Sequence, residues 1–374
     1  MGNLNIPSVS VVTFSNIVRE QFIEKNYRPI FGLGKGGIGK TESIHDLALE
    51  LNVGYIDVRL LLYTETDLKG IPYPNAEHTK TVWLQNNILP TVEKDGESGI
   101  LVFDEITSCA KSVRTAAYQL LNERKLGEYT LPDGWLIVCL GNGEEDGGDY
   151  QGMEGNFVNR CAVFNVVADV DTWKLWANTH GVNNLVTSYV SFRPQDLHSY
   201  DPESDTEMLF ASPRSWNAVS NILNAKGYNE NDLVTLNRIY ANIGTSIGLR
   251  FASFCKFKDS TVDPNEIICR GAKPVIDTQE ILYITIGSVV KIVGDQVKND
   301  IKTLNGGVQQ DTLNKMANAI KWFVTLSKEN AVMGIKDLIS YDFNNIRRIL
   351  LIPEFLQVCP EISQFVAENR EIFR

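Results

Sequence analysis

The chain is poor in the residues that would tie it to metal, disulfide or membrane chemistry. Its four histidines, His45, His78, His180 and His198, lie far apart without ligand spacing, so no structural metal site is expected. The six cysteines, Cys109, Cys139, Cys161, Cys255, Cys269 and Cys359, include no C-x-x-C pair. They read as reduced residues of a core or domain boundary in a cytoplasmic protein. No apolar run reaches the roughly 18 residues of a membrane span, and the opening MGNLNIPSVSVVTFSN has no cationic start ahead of an apolar segment, so neither membrane insertion nor secretion is expected. A basic excess is also missing. The net charge of −11 supplies no global field for coating nucleic acid or anionic membrane, although a local basic pore can survive on an acidic particle.

Against these absences stands one dense motif. RPIFGLGKGGIGKTES, Arg28 to Ser43, carries Gly34, Gly39, Lys40 and Thr41 in the G-x-x-x-x-G-K-[ST] register. Arg28–Leu33 reads as a short buried strand, and Thr41–Leu51 places Ile44, Leu47, Ala48 and Leu51 on one helical face. In that setting Gly36 and Gly37 let backbone N–H groups converge on phosphate oxygens at a helix N-terminus, where the dipole favours anions. Lys40 would reach the β- and γ-phosphates and Thr41 would ligate Mg²⁺. The expected nucleotide-contacting run is Gly34, Lys35, Gly36, Gly37, Ile38, Gly39, Lys40, Thr41 and Glu42.

The length allows two domains. The first half alternates apolar runs with helical patterns, which predicts an α/β parallel sheet. Strands are expected at Arg28–Leu33, Gly54–Arg59, Ile100–Phe103, Leu136–Leu140 and Ala162–Val166. Helices are expected at Thr41–Leu51 and Thr107–Asn122, with a short one near Phe157–Arg160. From about Asp171 helical periodicity dominates. A boundary near Arg193–Ser212, rich in proline, acid and small polar residues, gives an α/β core over residues 1–200 and a helical domain over 201–374.

Further chemistry lies downstream. GILVFDEIT, Gly99 to Thr107, is an apolar strand ending in Asp104 and Glu105. The first acid can hold Mg²⁺ through water and the second can orient the attacking water. GWLIVCLGNG, Gly134 to Gly143, is a second buried strand ending in Asn142. That amide can contact the γ-phosphate and the lytic water, or simply serve as a turn residue between glycines. Arg160 before the fifth strand can project into a neighbouring subunit's pocket, and Arg214, after a helix-starting Pro213, can bring the helical domain onto the γ-phosphate. Surface salt bridging is the alternative for both arginines. The acidic Glu144–Asp149 loop lacks calcium-loop spacing and reads as a solvated connector.

With these elements in order the chain resembles the MoxR family of AAA+ ATPases over most of residues 10–260. The more specific segments are DVRLLLYTETDLKGIP (Asp57–Pro72), TVWLQNNILP (Thr81–Pro90), QLLNERKLGEYTLPDGW (Gln119–Trp135), VNRC (Val158–Cys161) and SPRSW (Ser212–Trp216). The resemblance implies an AAA+ P-loop core with a five-stranded parallel sheet of order 5-1-4-3-2, followed by an all-helical lid. It places Gly34–Thr41 on Walker A, Asp104 and Glu105 on Walker B with Glu105 as base, Asn142 on sensor 1, Arg160 on the arginine finger and Arg214 on sensor 2. It also implies ATP and Mg²⁺ as cofactors, a hexameric ring, and a partner bearing a von Willebrand factor A domain in chaperone-like remodelling. The stretch Thr64–Lys80 matches the place of a family insertion; Tyr73, His78 and Trp83 are candidates for a pore loop or for core packing, with Trp83 favoured for packing in a helical pattern. The competing readings are a nucleic-acid translocase, for which no aromatic-interleaved basic stretch is visible, and a nucleotide-gated scaffold with little turnover. A GTPase is disfavoured because no N-K-x-D motif follows the loop.

Overall fold

A computed structural model of the chain describes residues 6–85, 87–143, 159–200 and 209–369. The chain divides into two compact units, residues 1–169 with 200–205, and residues 170–199 with 206–374. The division falls at Asp169 and not at residue 200 for a packing reason. Trp173, Ala177, Val186 and Tyr189 share one apolar cluster with Trp216, Val219 and Phe251, so the stretch after Val170 belongs with the helices.

Among its described residues the first unit holds ten strands: β1 (Ser8–Ser10), β2 (Ile30–Leu33), β3 (Gly54–Arg59), β4 (Ile71–Pro74), β5 (Thr81–Leu84), β6 (Ser98–Asp104), β7 (Lys125–Leu126), β8 (Tyr129–Thr130), β9 (Gly134–Gly141) and β10 (Ala162–Val167). Six of them form a parallel sheet of order β1-β10-β2-β9-β6-β3. Without β1 this is the expected 5-1-4-3-2 order; β1 adds an edge, pairing Ser8–Ser10 with Asn165–Val167. The apolar run of β6 sorts by alternation. Leu101 and Phe103 face one layer with Phe31 and Ile137, while Ile100 and Val102 face the other with Val138 and Leu140. Helices α1 (Val11–Ile23) and α2 (Lys40–Leu51) cover the second face through Phe14, Val18, Ile44 and Leu47. Helix α5 covers the first, after the short α3 (Glu65–Lys69) and α4 (Val92–Asp95).

Helix α5 spans Lys111–Glu123, starting four residues later than the sequence pattern suggests, because residues 105–108 form a turn. Asn159 and Arg160 are likewise in a turn, with Phe157 and Val158 outside the described residues. Trp83 lies in a strand, not a helix: β4 and β5 pair antiparallel, opposing Pro72 to Trp83 and Tyr73 to Val82. Trp83 is half-buried, and Ile71, Tyr73 and Leu84 are exposed on this hairpin, whose turn carries His78 at φ 55°. The period-2 pattern of two short strands here was too brief to separate from a helical one.

Trp135 anchors the lower end of the sheet. It is fully buried, its Nε1 donates to Gly96 O at 3.0 Å, and a Cβ at Gly99 would lie 2.6 Å from its ring. Replacing Trp135 with Ala is expected to destabilise the first unit by about 3–5 kcal/mol, read as a lowered denaturation midpoint.

The second unit contains α6 (Val170–Thr179), α7 (Asn184–Phe192), α8 (Pro213–Lys226), α9 (Leu233–Ile243), α10 (Thr245–Cys255), α11 (Pro264–Ile268), α12 (Gln279–Thr303), α13 (Gln310–Phe323), α14 (Lys328–Tyr341) and three short helices to Glu368. Pro264 is the first residue of α11, and Gly306-Gly307 follows α12. At 25 residues, α12 is the longest helix among the described residues. It joins two apolar clusters, one around Trp216 and Phe251, the other around Trp322 and Phe323. Among the described residues no helix is long and apolar enough to cross a membrane.

Asp196 organises the first of these clusters. It is 4% exposed and accepts from Tyr189 Oη at 2.5 Å, Arg193 Nε at 3.0 Å and Arg250 Nη2 at 3.2 Å, while its carbonyl accepts from Trp216 Nε1 at 2.8 Å. Burial raises its pKa, but the hydrogen bonds from Tyr189, Arg250 and Arg193 outweigh this and hold the carboxyl below its usual value. A depressed folded pKa contributes stability that is present above the unfolded value, about 3.9, and is lost as pH falls through the folded one. Asp196→Asn is expected to flatten that acid limb of the stability–pH curve and to cost about 3–5 kcal/mol at neutral pH.

Candidate functional site

The carboxyl ends of β2, β6 and β9 meet, and the residues that follow them form one cluster. β2 runs into the glycine loop. Gly34 N donates to Gly141 O at 3.1 Å, and a Cβ on Gly34 would lie 2.1 Å from Val166 O, so no side chain fits where the loop leaves the sheet. Gly37 and Gly39 have φ of 77° and 97°, conformations open to glycine at little cost. Gly39 is the N-cap of α2, and Lys40 and Thr41 are its first two residues.

Lys40 is only 8% exposed. Its ammonium donates back into the loop, to Gly34 O and to Lys35 O at 2.9 Å, and reaches Asn142 Oδ1 at 3.5 Å. Thr41 Oγ1 donates to Asp104 Oδ2 at 2.9 Å, across 63 residues of sequence. The Lys35 ammonium lies 3.4 Å from Tyr200 O and over the Tyr200 ring.

Glu105 is half-buried at φ 57°, a left-handed conformation costly for a residue with a side chain. It is held there from both sides: Glu105 N donates to Asp104 Oδ1 at 2.9 Å, and Ile106 N donates to Leu140 O at 3.1 Å. Asn142 is positioned by Thr107, a fully buried residue whose Oγ1 accepts from Asn142 N at 3.1 Å. Thr107 is a positioning residue that sequence reading missed, since nothing in a lone threonine after Asp-Glu marks it. Asp57, on the neighbouring strand β3, feels the charge of Asp104. Burial pushes its carboxyl above the usual range and the Asp104 charge adds to this, with Arg59 acting against them.

The loop, Lys40, Thr41, Asp104, Glu105 and Asn142 are thus brought together. Arg160 is exposed in the turn before β10 and has no ion-pair partner among the described residues. The turn is fixed by Arg28, whose Nη2 donates to Asn159 O and Cys161 O, each at 3.2 Å. Arg214 is exposed in the first turn of α8, in the second unit, where Ser212 and Ser215 form a capping box and Pro213 occupies the first helical position. Glu144–Asp149 lies outside the described residues.

A hydroxyl and a carboxylate at the head of the loop helix, with no thiol or imidazole between them, are the oxygen donors that a hard cation such as Mg²⁺ takes. On the side of α2, Glu42, His45 and Asp46 place ligand atoms within 4.8 Å of one another, a grouping the histidine spacing does not reveal.

A five-strand 5-1-4-3-2 order with a phosphate loop after the first strand, followed by a helical unit, is the AAA+ P-loop fold. No protein-family profile matches the chain. Among solved structures it is similar to a lysine-to-arginine variant of RuvB from Thermotoga maritima, at 13% identity over 90% of this chain and 88% of that one, with a TM-score of 0.38. A second is the Thermotoga maritima RuvB Holliday junction branch migration motor, at 12% identity over 90% and 88% of the two chains, with a TM-score of 0.31. The fold assignment rests on strand order and loop geometry, beside which these likenesses are distant.

The left-handed backbone of Glu105 has a measurable consequence. Glu105→Gly is expected to be more stable than Glu105→Val by about 1–2 kcal/mol in denaturant titrations, the reverse of the order for an ordinary strand end.

Proposed function

We propose that the protein is a Mg²⁺-dependent ATPase that hydrolyses ATP at a site shared between subunits of an oligomer. The observation that carries this reading is the convergence of Lys40, Thr41, Asp104, Glu105 and Asn142 at the ends of three adjacent strands. Lys40 would exchange the carbonyls of Gly34 and Lys35 for β- and γ-phosphate oxygens. Backbone N–H groups of Gly36 to Thr41 would cradle the phosphates at the start of α2. Thr41 and Asp104 would hold Mg²⁺, which when bound neutralises phosphate charge. Glu105 would accept a proton from the attacking water while Asn142 orients it.

Arg160 supports the shared site: an exposed guanidinium without an ion-pair partner among the described residues, on a turn braced by Arg28, is suited to reach a neighbouring copy's γ-phosphate. Arg214 would tie nucleotide state to the helical unit. By the MoxR resemblance the assembly would be a hexameric ring that remodels a protein client, with a von Willebrand factor A domain protein as partner.

Steady-state phosphate release tests the reading. Lys40→Ala is expected to lose both ATP binding and turnover, and Glu105→Gln to bind ATP and stall. Arg160→Ala is expected to keep binding and lose about 10³–10⁵ in rate, with wild-type turnover per subunit rising as the protein assembles. Unchanged turnover in Lys40→Ala and Glu105→Gln would place hydrolysis elsewhere.

A further inference from the structure

The second unit carries a partly open cavity of about 150 Å³, lined by many polar side chains, that the ATPase reading does not use. That is the bulk of about five water molecules at roughly 30 Å³ each. Four helices, α6, α7, α12 and α14, supply its walls, and each contributes polar residues. Lys174 of α6, itself buried, pairs with Asp337 of α14, whose side chain is mostly buried. On the same wall Tyr341 donates its hydroxyl to Asp295. The acidic groups of the cavity therefore already have donors.

The donors facing them on α12 and α7 are differently placed. Ser188 is 3% exposed, and its Oγ is buried without a protein hydrogen-bond partner. Leaving such a hydroxyl unpaired costs about 1–3 kcal/mol. It sits over Gly287 of α12, where a Cβ would come within 2.1 Å of the Ser188 oxygen. Gly287 is flanked one turn away on either side by Tyr283 and Lys291, and all three line the cavity. A four-residue step along a helix is about 6 Å. A phenol, a serine hydroxyl and an ammonium are thus strung along about 12 Å of one wall, and Lys291 has no ion-pair partner among the described residues.

We propose that this cavity binds a small oxyanion, a carboxylate or a phosphate, with Lys291 supplying the charge and Ser188 a hydrogen bond. An unpaired buried hydroxyl beside an unpaired ammonium asks for an acceptor, and the acids present are already engaged by Lys174 and Tyr341. Because the residues come from four helices, the ligand would brace them together and stabilise this unit by linkage.

Calorimetric titration of the full chain with acetate, malonate and inorganic phosphate tests the site, in a Lys40→Ala background so that the glycine loop does not dominate the phosphate signal. Saturable binding of at least one anion is expected, weakened about tenfold or more by Lys291→Met and about three- to tenfold by Ser188→Ala. Binding of malonate or acetate alone would identify a carboxylate site, and of phosphate alone a phosphate site. Ser188→Ala also serves as the folding control, since removing an unpaired hydroxyl leaves the melting temperature of the anion-free protein unchanged or raised. No saturable binding by any of the three anions, or equal binding by Lys291→Met and its parent, would overturn the proposal and leave a water-filled cavity.

Discussion

The arrangement at the head of the sheet depends on one closure, the hydrogen bond from Thr41 Oγ1 to Asp104 Oδ2. It ties the first turn of α2 to the end of β6, although β9 lies between β2 and β6 in the sheet. That bridge is available only because the strands are parallel and their carboxyl ends lie side by side, the edge where open α/β sheets place ligands. Asp104 has two oxygens, and each is engaged. One accepts from Thr41 and the other from Glu105 N, so the bond that closes the loop onto the sheet also sets the twist of the next peptide.

The left-handed Glu105 follows from this closure and from the sheet. With its N–H held by Asp104 and the next N–H drawn to Leu140 O, the peptide between has little freedom left, and the backbone accepts a strained φ. Thr107 then takes Asn142 N, which turns the end of β9 toward the same point. Three strand ends are thereby tied beyond the sheet ladder, by Thr41 to Asp104 through side chains, Ile106 N to Leu140 O through the backbone, and Thr107 to Asn142 N. A similar economy governs the second unit, where a single carboxylate, Asp196, gathers Tyr189, Arg193 and Arg250.

Much of the core was legible in the sequence because its signals are local. The glycine register, the apolar runs at Gly54–Arg59 and Gly99–Phe103, and the helical face of Thr41–Leu51 each lie within a dozen residues, and the observed elements fall on them. The strand order came from the family resemblance and is found in the sheet. What sequence reading missed depends on distance. Arg28 meets the Asn159 and Cys161 carbonyls more than 130 residues away, and Ser8–Ser10 becomes a strand only because β10 offers an open edge. The β4–β5 hairpin was misread around Trp83 because four-residue strands carry too few alternations to exclude a helix. Residues 170–199 were assigned to the wrong side of the boundary because proline and acid content mark a loop, whereas membership of a unit is decided by which cluster Trp173 and Tyr189 fill.

The Arg28 clamp gives β2 a mechanical character. Its four residues, Ile30–Leu33, are fully hydrogen-bonded on both sides by β10 and β9, and at about 3.3 Å per residue they form a rod of roughly 13 Å. The turn that displays Arg160 is pinned at one end of this rod, and the glycine loop springs from the other. A push on that turn would travel along a short, stiff strut straight to the loop, with no soft joint between to absorb it.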